Sequence, residues 1–179
     1  MITEGDEISD PSGMDDNQMP AFCVVPGLFA FDHSAKTINN AAQVISTNTD
    51  VIAGVAAVRQ CLVHLVDGRP LSEALSLSAN EMQGDVGQLM QEALTVEQYQ
   101  PLVTAKRFGL ACYVERSLPV VWHLLHNATD FESAVLDNVR CGGDNCGRSM
   151  ALGAIAGLAF GVPQDLVNRM AGQRIPITI

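Results

Sequence analysis

The amino-acid sequence predicts an all-α protein, a bundle of several helices. Three observations carry that expectation. Apolar residues recur at i, i+3, i+4 and i+7 through successive segments. Cap-forming residues stand just ahead of several of those segments. No segment alternates apolar and polar side chains as a half-buried strand would, and there is no internal repeat.

Taken in order, residues 1–20 are an irregular acidic lead-in containing Pro11, Gly13 and Pro20. Glu4, Asp6, Glu7, Asp10, Asp15 and Asp16 all precede the first basic residue, Lys36, which is the pattern of a solvated tail. The run from Ala21 to Phe31 is apolar throughout, and periodicity does not separate strand from helix there. From Ser34 onward Ile38, Ala41, Ala42 and Ile45 fall on one helical face. Asn48 is a good cap for the next helix, which carries Val51, Val55, Val58, Leu62 and Leu65 on one stripe and stops at Gly68 and Pro70.

Val86, Leu89, Met90 and Ala93 mark a third helix. Val121, Leu124, Leu125 and Ala128 mark a fourth, with Ser117 as its cap. Thr129-Asp130-Phe131-Glu132 has the form of a capping box, and the helix behind it is expected to turn Phe131, Ala134, Val135 and Val139 inward. The chain then bends at Gly142-Gly143 and resumes from Met150 to Phe160, ending at Gly161 before Pro163. Gly153 and Gly157 lie four apart in that last helix. Each costs up to about 1 kcal/mol there, so together they predict a close neighbouring backbone. The expected division is a lead-in at 1–20, a helical domain at 21–172 and a tail at 173–179.

Composition bounds the function. At 179 residues, 47% hydrophobic and 17% charged, the chain is one domain's worth with a real core. A formal charge of −10 argues against nucleic acid as a partner, because phosphate contacts need clustered Lys and Arg. No uninterrupted apolar stretch long enough for a membrane span is evident, and the acidic start is unlike a signal peptide, so a cytoplasmic location is expected. The five cysteines suggest free thiols, with Cys23, Cys61 and Cys112 as small core residues. Cys141 and Cys146 form a poor zinc pattern without a second ligand pair. His123 and His126, three apart on a helix, have no third ligand in view, Ser117 has no paired His, and Trp122 reads as core.

The segment Gly142-Gly143-Asp144-Asn145-Cys146-Gly147-Arg148-Ser149 carries the strongest local signal. From these residues alone, a Gly-Gly turn delivers Asp144 to a helix start, where Asp is among the best N-caps. The stretch Phe108–Val162, with Phe131-Glu132-Ser133-Ala134 ahead of the turn and a small-residue helix behind it, resembles the ADP-ribosylglycohydrolase family, in the branch that includes the J-type crystallins. Val25-Pro26-Gly27-Leu28 and the run Ser46–Gly54 look like that family's central helices, so the resemblance spans roughly residues 15–170.

The resemblance implies an all-α, ADP-ribosylglycohydrolase-like bundle whose N-terminal part is missing from this chain. It also implies hydrolysis of the glycosidic bond between ADP-ribose and an acceptor, assisted by two divalent ions, Mg²⁺ or Mn²⁺. ADP-ribosylated substrate or ADP-ribose would be the ligand, and a partner protein could supply the missing N-terminal half. Hard cations of this kind prefer oxygen donors. Asp144 occupies a family metal-ligand position, and Met14-Asp15-Asp16-Asn17-Gln18-Met19 looks like the family's Thr-Asp-Asp-Thr ligand motif, which makes Asp15 and Asp16 candidates. Asn145, Arg148 and Gly143 would shape the substrate side.

Three departures matter, and the Cys146 replacement and the absent N-terminal carboxylates among them motivate an alternative, a non-catalytic crystallin-like or pseudoenzyme protein. Cys146 stands where the family has a second Asp, and Gly147 where it has Thr. The N-terminal Gly-Asp segment has no counterpart. The Asp15–Asp16 segment also runs straight into the Val25–Leu28 helix, where the family has a long insertion.

Overall fold

The apolar run at 21–31 resolves as helix. In the computed structural model, which describes residues 14–97 and 99–169, a 3-10 turn over Met19–Cys23 leads directly into α1 (Val24–Phe29). Together they bury Met19, Ala21, Phe22, Val25 and Phe29. In α2 (Ala35–Gln43) the buried residues are Ile38 and Ala42, and the Ser34 hydroxyl accepts from the Thr37 N–H. Next, α3 (Thr49–Val66) starts at the expected cap, with the Asn48 side chain accepting from the N–H groups of Asp50 and Val51 at 3.1 and 3.3 Å. By length and composition α3 qualifies as a membrane span, with a mean hydropathy of 1.4, which corrects the sequence expectation. Here its Val51, Val55, Val58, Cys61 and Leu62 form a core stripe against neighbouring helices.

The chain continues through α4 (Leu71–Glu81), α5 (Asp85–Leu94), α6 (Pro101–Phe108), α7 (Val114–Asn127), α8 (Phe131–Cys141), α9 (Asn145–Phe160) and α10 (Gln164–Arg169). Among the described residues there is no strand, only isolated bridges between Met14 and Ser46 and between Gln18 and Tyr113. The all-α expectation holds. The core is centred on α7, which packs on α5, α6 and α9. Trp122 is fully buried there, and its indole N–H donates to the Leu75 carbonyl at 3.0 Å, satisfying the one polar atom it brings inside.

Several local expectations are corrected. Ser117 does not cap α7. It lies buried inside the helix, donating to the Ala111 carbonyl at 3.1 Å, and Tyr113 holds the cap position. The capping box before α8 is real but one residue later: Asp130 accepts from the Ser133 N–H at 2.7 Å, and the Ser133 hydroxyl accepts from the Asp130 N–H at 3.2 Å. Val139 points outward, half exposed, so the inner stripe of α8 is Ala134, Asp137, Asn138 and Cys141. Of the cysteines expected in the core, Cys61 is buried, Cys112 is half-buried and Cys23 is exposed.

Gly153 and Gly157, the pair expected to lie under a close backbone, also behave differently, a Cβ at Gly157 meeting only side chains at 3.4 Å or more. A Cβ added at Gly153 meets nothing within 4 Å, so no backbone crosses there. Close approach occurs elsewhere, at Gly54 against Leu118 and Phe22 and at Gly87 against the Met82 carbonyl. The segment Met14–Gln18 is pinned across the starts of α3 and α7, while residues 1–13 and the tail at 173–179 lie outside the described residues.

Candidate functional site

The loop Leu110–Tyr113, between α6 and α7, is where distant segments converge. Its Leu110 carbonyl accepts the Asp144 N–H at 3.0 Å, and its Cys112 carbonyl accepts the Met19 N–H at 3.1 Å. The Cys112 thiol meets the Gln18 side-chain oxygen at 3.0 Å. One residue on, Asn17 takes the Val114 N–H on its carbonyl at 2.9 Å and donates from its amide to Glu115 at 3.2 Å. The other end of this segment is tied to the start of α3. The Ser46 hydroxyl donates to the Asp16 carbonyl at 2.6 Å, and the Asn48 amide donates to the Asp15 carboxylate at 2.8 Å. The acidic segment and the Gly-Gly turn, remote in sequence, therefore dock on one loop.

Sterics explain the glycines of the turn. Gly142 and Gly143 have φ of +66° and +61°, the left-handed region that other residues avoid. A Cβ at Gly143 would sit 2.3 Å from the Leu110 carbonyl oxygen. Gly147, on the first turn of α9, is equally constrained: a Cβ there would lie 2.1 Å from an Asp144 carboxylate oxygen and 2.9 Å from Met19 Cβ. The other Asp144 oxygen accepts the Gly147 N–H at 3.0 Å. Asp144 is thus an N-cap in fact, the role its residue type suggests without any metal.

Beneath the turn lies a polar cluster. Arg148 is fully buried, with Nε donating to the Asn138 Oδ1 at 2.7 Å and Nη2 donating to the Gly142 carbonyl. Asn138, also fully buried, donates to the Asn145 carbonyl and to the Ser149 hydroxyl, both at 2.9 Å. Burial pulls the Arg148 guanidinium below its ordinary range, while the charges of Cys141 and Asp144 oppose that shift. Alongside, the Tyr99 hydroxyl bonds to the nearly buried Asp137, which also accepts from Arg140 at 2.9 Å. Burial, with the Asp137 hydrogen bond, raises the Tyr99 phenol well above its usual value.

The ADP-ribosylglycohydrolase family model matches residues 3–177. The chain belongs to the ADP-ribosylglycohydrolase family. No curated protein matches it. Glycohydrolases of this family are generally dependent on divalent metal, which makes the donor set here the point to examine. Asp15, Asp16 and Asp144 are carried by segments that share the 110–113 loop, yet no group of three His, Cys, Asp or Glu side chains able to hold a metal is present among the described residues. One oxygen of Asp15 is held by Asn48 and one of Asp144 by Gly147. Cys146, in the place of the second family Asp, is an exposed thiol that suits a hard cation poorly. The residues as arranged do not fit a Mg²⁺ or Mn²⁺ site.

Of the expected substrate-side residues, Gly143 is exposed on the turn, Asn145 is half-buried at the start of α9, and Arg148 supports the turn from inside. The two histidines are split: His126 is exposed, whereas His123 is buried with Nδ1 facing the Ala93 carbonyl at 3.1 Å. Asn138 and Asp137 escaped the sequence reading. Their signal was nonetheless present, because Ala134, Asp137, Asn138 and Cys141 stand at i, i+3, i+4 and i+7, a buried stripe half of which is polar.

Proposed function

We propose that the chain is an ADP-ribosylglycohydrolase-type protein that acts on the glycosidic bond joining ADP-ribose to an acceptor, at the corner made by the 142–145 turn, the 110–113 loop and the Asp15–Asp16 segment. The docking on one loop of Gln18 and Met19, which follow Asp15 and Asp16, and of the turn that carries Asp144 supports this reading. On it, Asp144, Asp15 and Asp16 supply the carboxylates, Gly143 and Asn145 border the ligand, and Arg148 holds the turn.

A second reading, a non-catalytic protein that keeps the helical scaffold, is favoured by the use of Asp144 as a helix cap and by the thiol at Cys146. The two are separated by incubating the isolated chain with ADP-ribosylated peptide, with and without Mn²⁺, and following released ADP-ribose. Turnover by the chain alone sinks the non-catalytic reading. No turnover, together with no rise in melting temperature on adding ADP-ribose, sinks the glycohydrolase reading, since a ligand of the native state must stabilise it.

A further inference from the structure

Asn138 and Arg148 are a costly pair to bury. Both are fully enclosed, the guanidinium has no carboxylate hydrogen-bonded to it, and its Nη1 has no hydrogen-bond partner. An unsatisfied buried donor costs about 1–3 kcal/mol. Apolar residues of similar volume often fill such sites with no loss of stability, or with a gain. Stability alone therefore does not explain the pair.

Its geometric effect does. Arg148 holds the Gly142 carbonyl and Asn138 holds the Asn145 carbonyl, so the backbone is gripped on both sides of Asp144. The Nε–Oδ1 bond of 2.7 Å joins the two grips into one unit linking α8 to α9. Without it, the two-glycine turn is tied to its neighbours chiefly through the bonds from the Asp144 N–H to the Leu110 carbonyl and from the Gly142 N–H to the Val139 carbonyl, which do not hold the Gly142 and Asn145 carbonyls.

We propose that Asn138 and Arg148 act together as positioning residues, clamping the Gly142–Asn145 turn from beneath so that the Asp144 carboxylate is held in one geometry. Asp144 matters to a ligand only on the glycohydrolase reading above, whereas the clamp is a property of the turn itself. The test is the double variant Asn138→Leu/Arg148→Met, which replaces both partners with apolar groups. Amide exchange is followed at Gly147, whose N–H is bonded to Asp144, and at Ile155, buried further along α9. ADP-ribose binding is measured by calorimetry.

The expected result is a melting temperature close to the parent's and Gly147 exchange at least about tenfold faster relative to Ile155. ADP-ribose affinity should fall by about 10–100-fold, the range seen when supporting partners of a site are removed. Unchanged Gly147 exchange overturns the clamp. So does equal acceleration at both amides with a lowered melting temperature, which is the mark of a merely structural role. If the double variant does not unfold cooperatively, Arg148→Lys is judged on the same two amides by the same criteria. A parent chain that fails to bind ADP-ribose sinks the glycohydrolase reading, and the amide ratio still decides the clamp.

Discussion

Asp144 shows how one side chain can carry two meanings. Its place after two glycines at a helix start marked it from the sequence as a cap, and the Gly147 N–H bond bears that out. Spacing could not reveal that Asp15 is tied to a different element, at the start of α3. His123 was legible only as one of two helix histidines without a third ligand, and its consequence comes from its surroundings. With Nδ1 facing the Ala93 carbonyl, Nε2 is buried and unpartnered beside Tyr99, and the exposed His126 is the charge that acts on it. Burial therefore holds the His123 pKa below the ordinary 6.5, with His126 adding to the shift and the Ala93 contact opposing it. Below pH 6.5 the unfolded chain takes up a proton that the folded chain resists, so stability falls as pH drops toward the folded value. Asp32, lowered mainly by its Thr37 hydrogen bond, and Asp130, lowered mainly by Ser133, contribute stability that is lost only as pH falls below the ordinary carboxylate value of 3.8. Thermal melts between pH 7.5 and 5 should show a progressive decline that His123→Gln flattens; a variant with the parent's slope would refute the assignment.

At the scale of the element, periodicity recovered the helices whose buried stripes are apolar, such as α3 and α5. It passed over α4 and α6, where Ser78 and Thr104 share the buried face with small residues and Val103 points outward. In α8 the same cause misdirected the inner face, because a stripe holding Asp137 and Asn138 does not look like core. The glycines supply a sharp contrast. Gly153 is helical, with open space where a Cβ would go, so Gly153→Ala should stabilise by up to about 1 kcal/mol through helix propensity. Gly87 is helical too, but its Cβ would lie 1.9 Å from the Met82 carbonyl oxygen, so Gly87→Ala should destabilise by about 1–3 kcal/mol. Urea melts of the two variants check both signs.

For the whole molecule, the all-α class and the family were legible because they rest on many residues in order. The donor set was not, since it depends on distances between segments that sequence order does not encode. The described core has fully buried residues on most of its helices, among them Trp122, Leu75, Met90 and Ile155. The isolated chain is therefore expected to elute as a single species near 19.1 kDa and to unfold in one cooperative transition. Aggregation or a broad, non-cooperative melt would instead favour an obligate partner. The 110–113 loop has a further consequence, for the order in which the chain assembles. Asn17 and Glu115, joined there, are 98 residues apart, and Gln18 and Cys112 are 94 apart. Closing a loop of that length costs more entropy than joining successive helices, so folding is expected to seal this corner after local pairs such as α3–α4 and α8–α9 have formed. A newly made chain thus acquires its candidate site last, and a brief local opening that lifts residues 14–19 off the loop would erase the site while the helices around it stay folded.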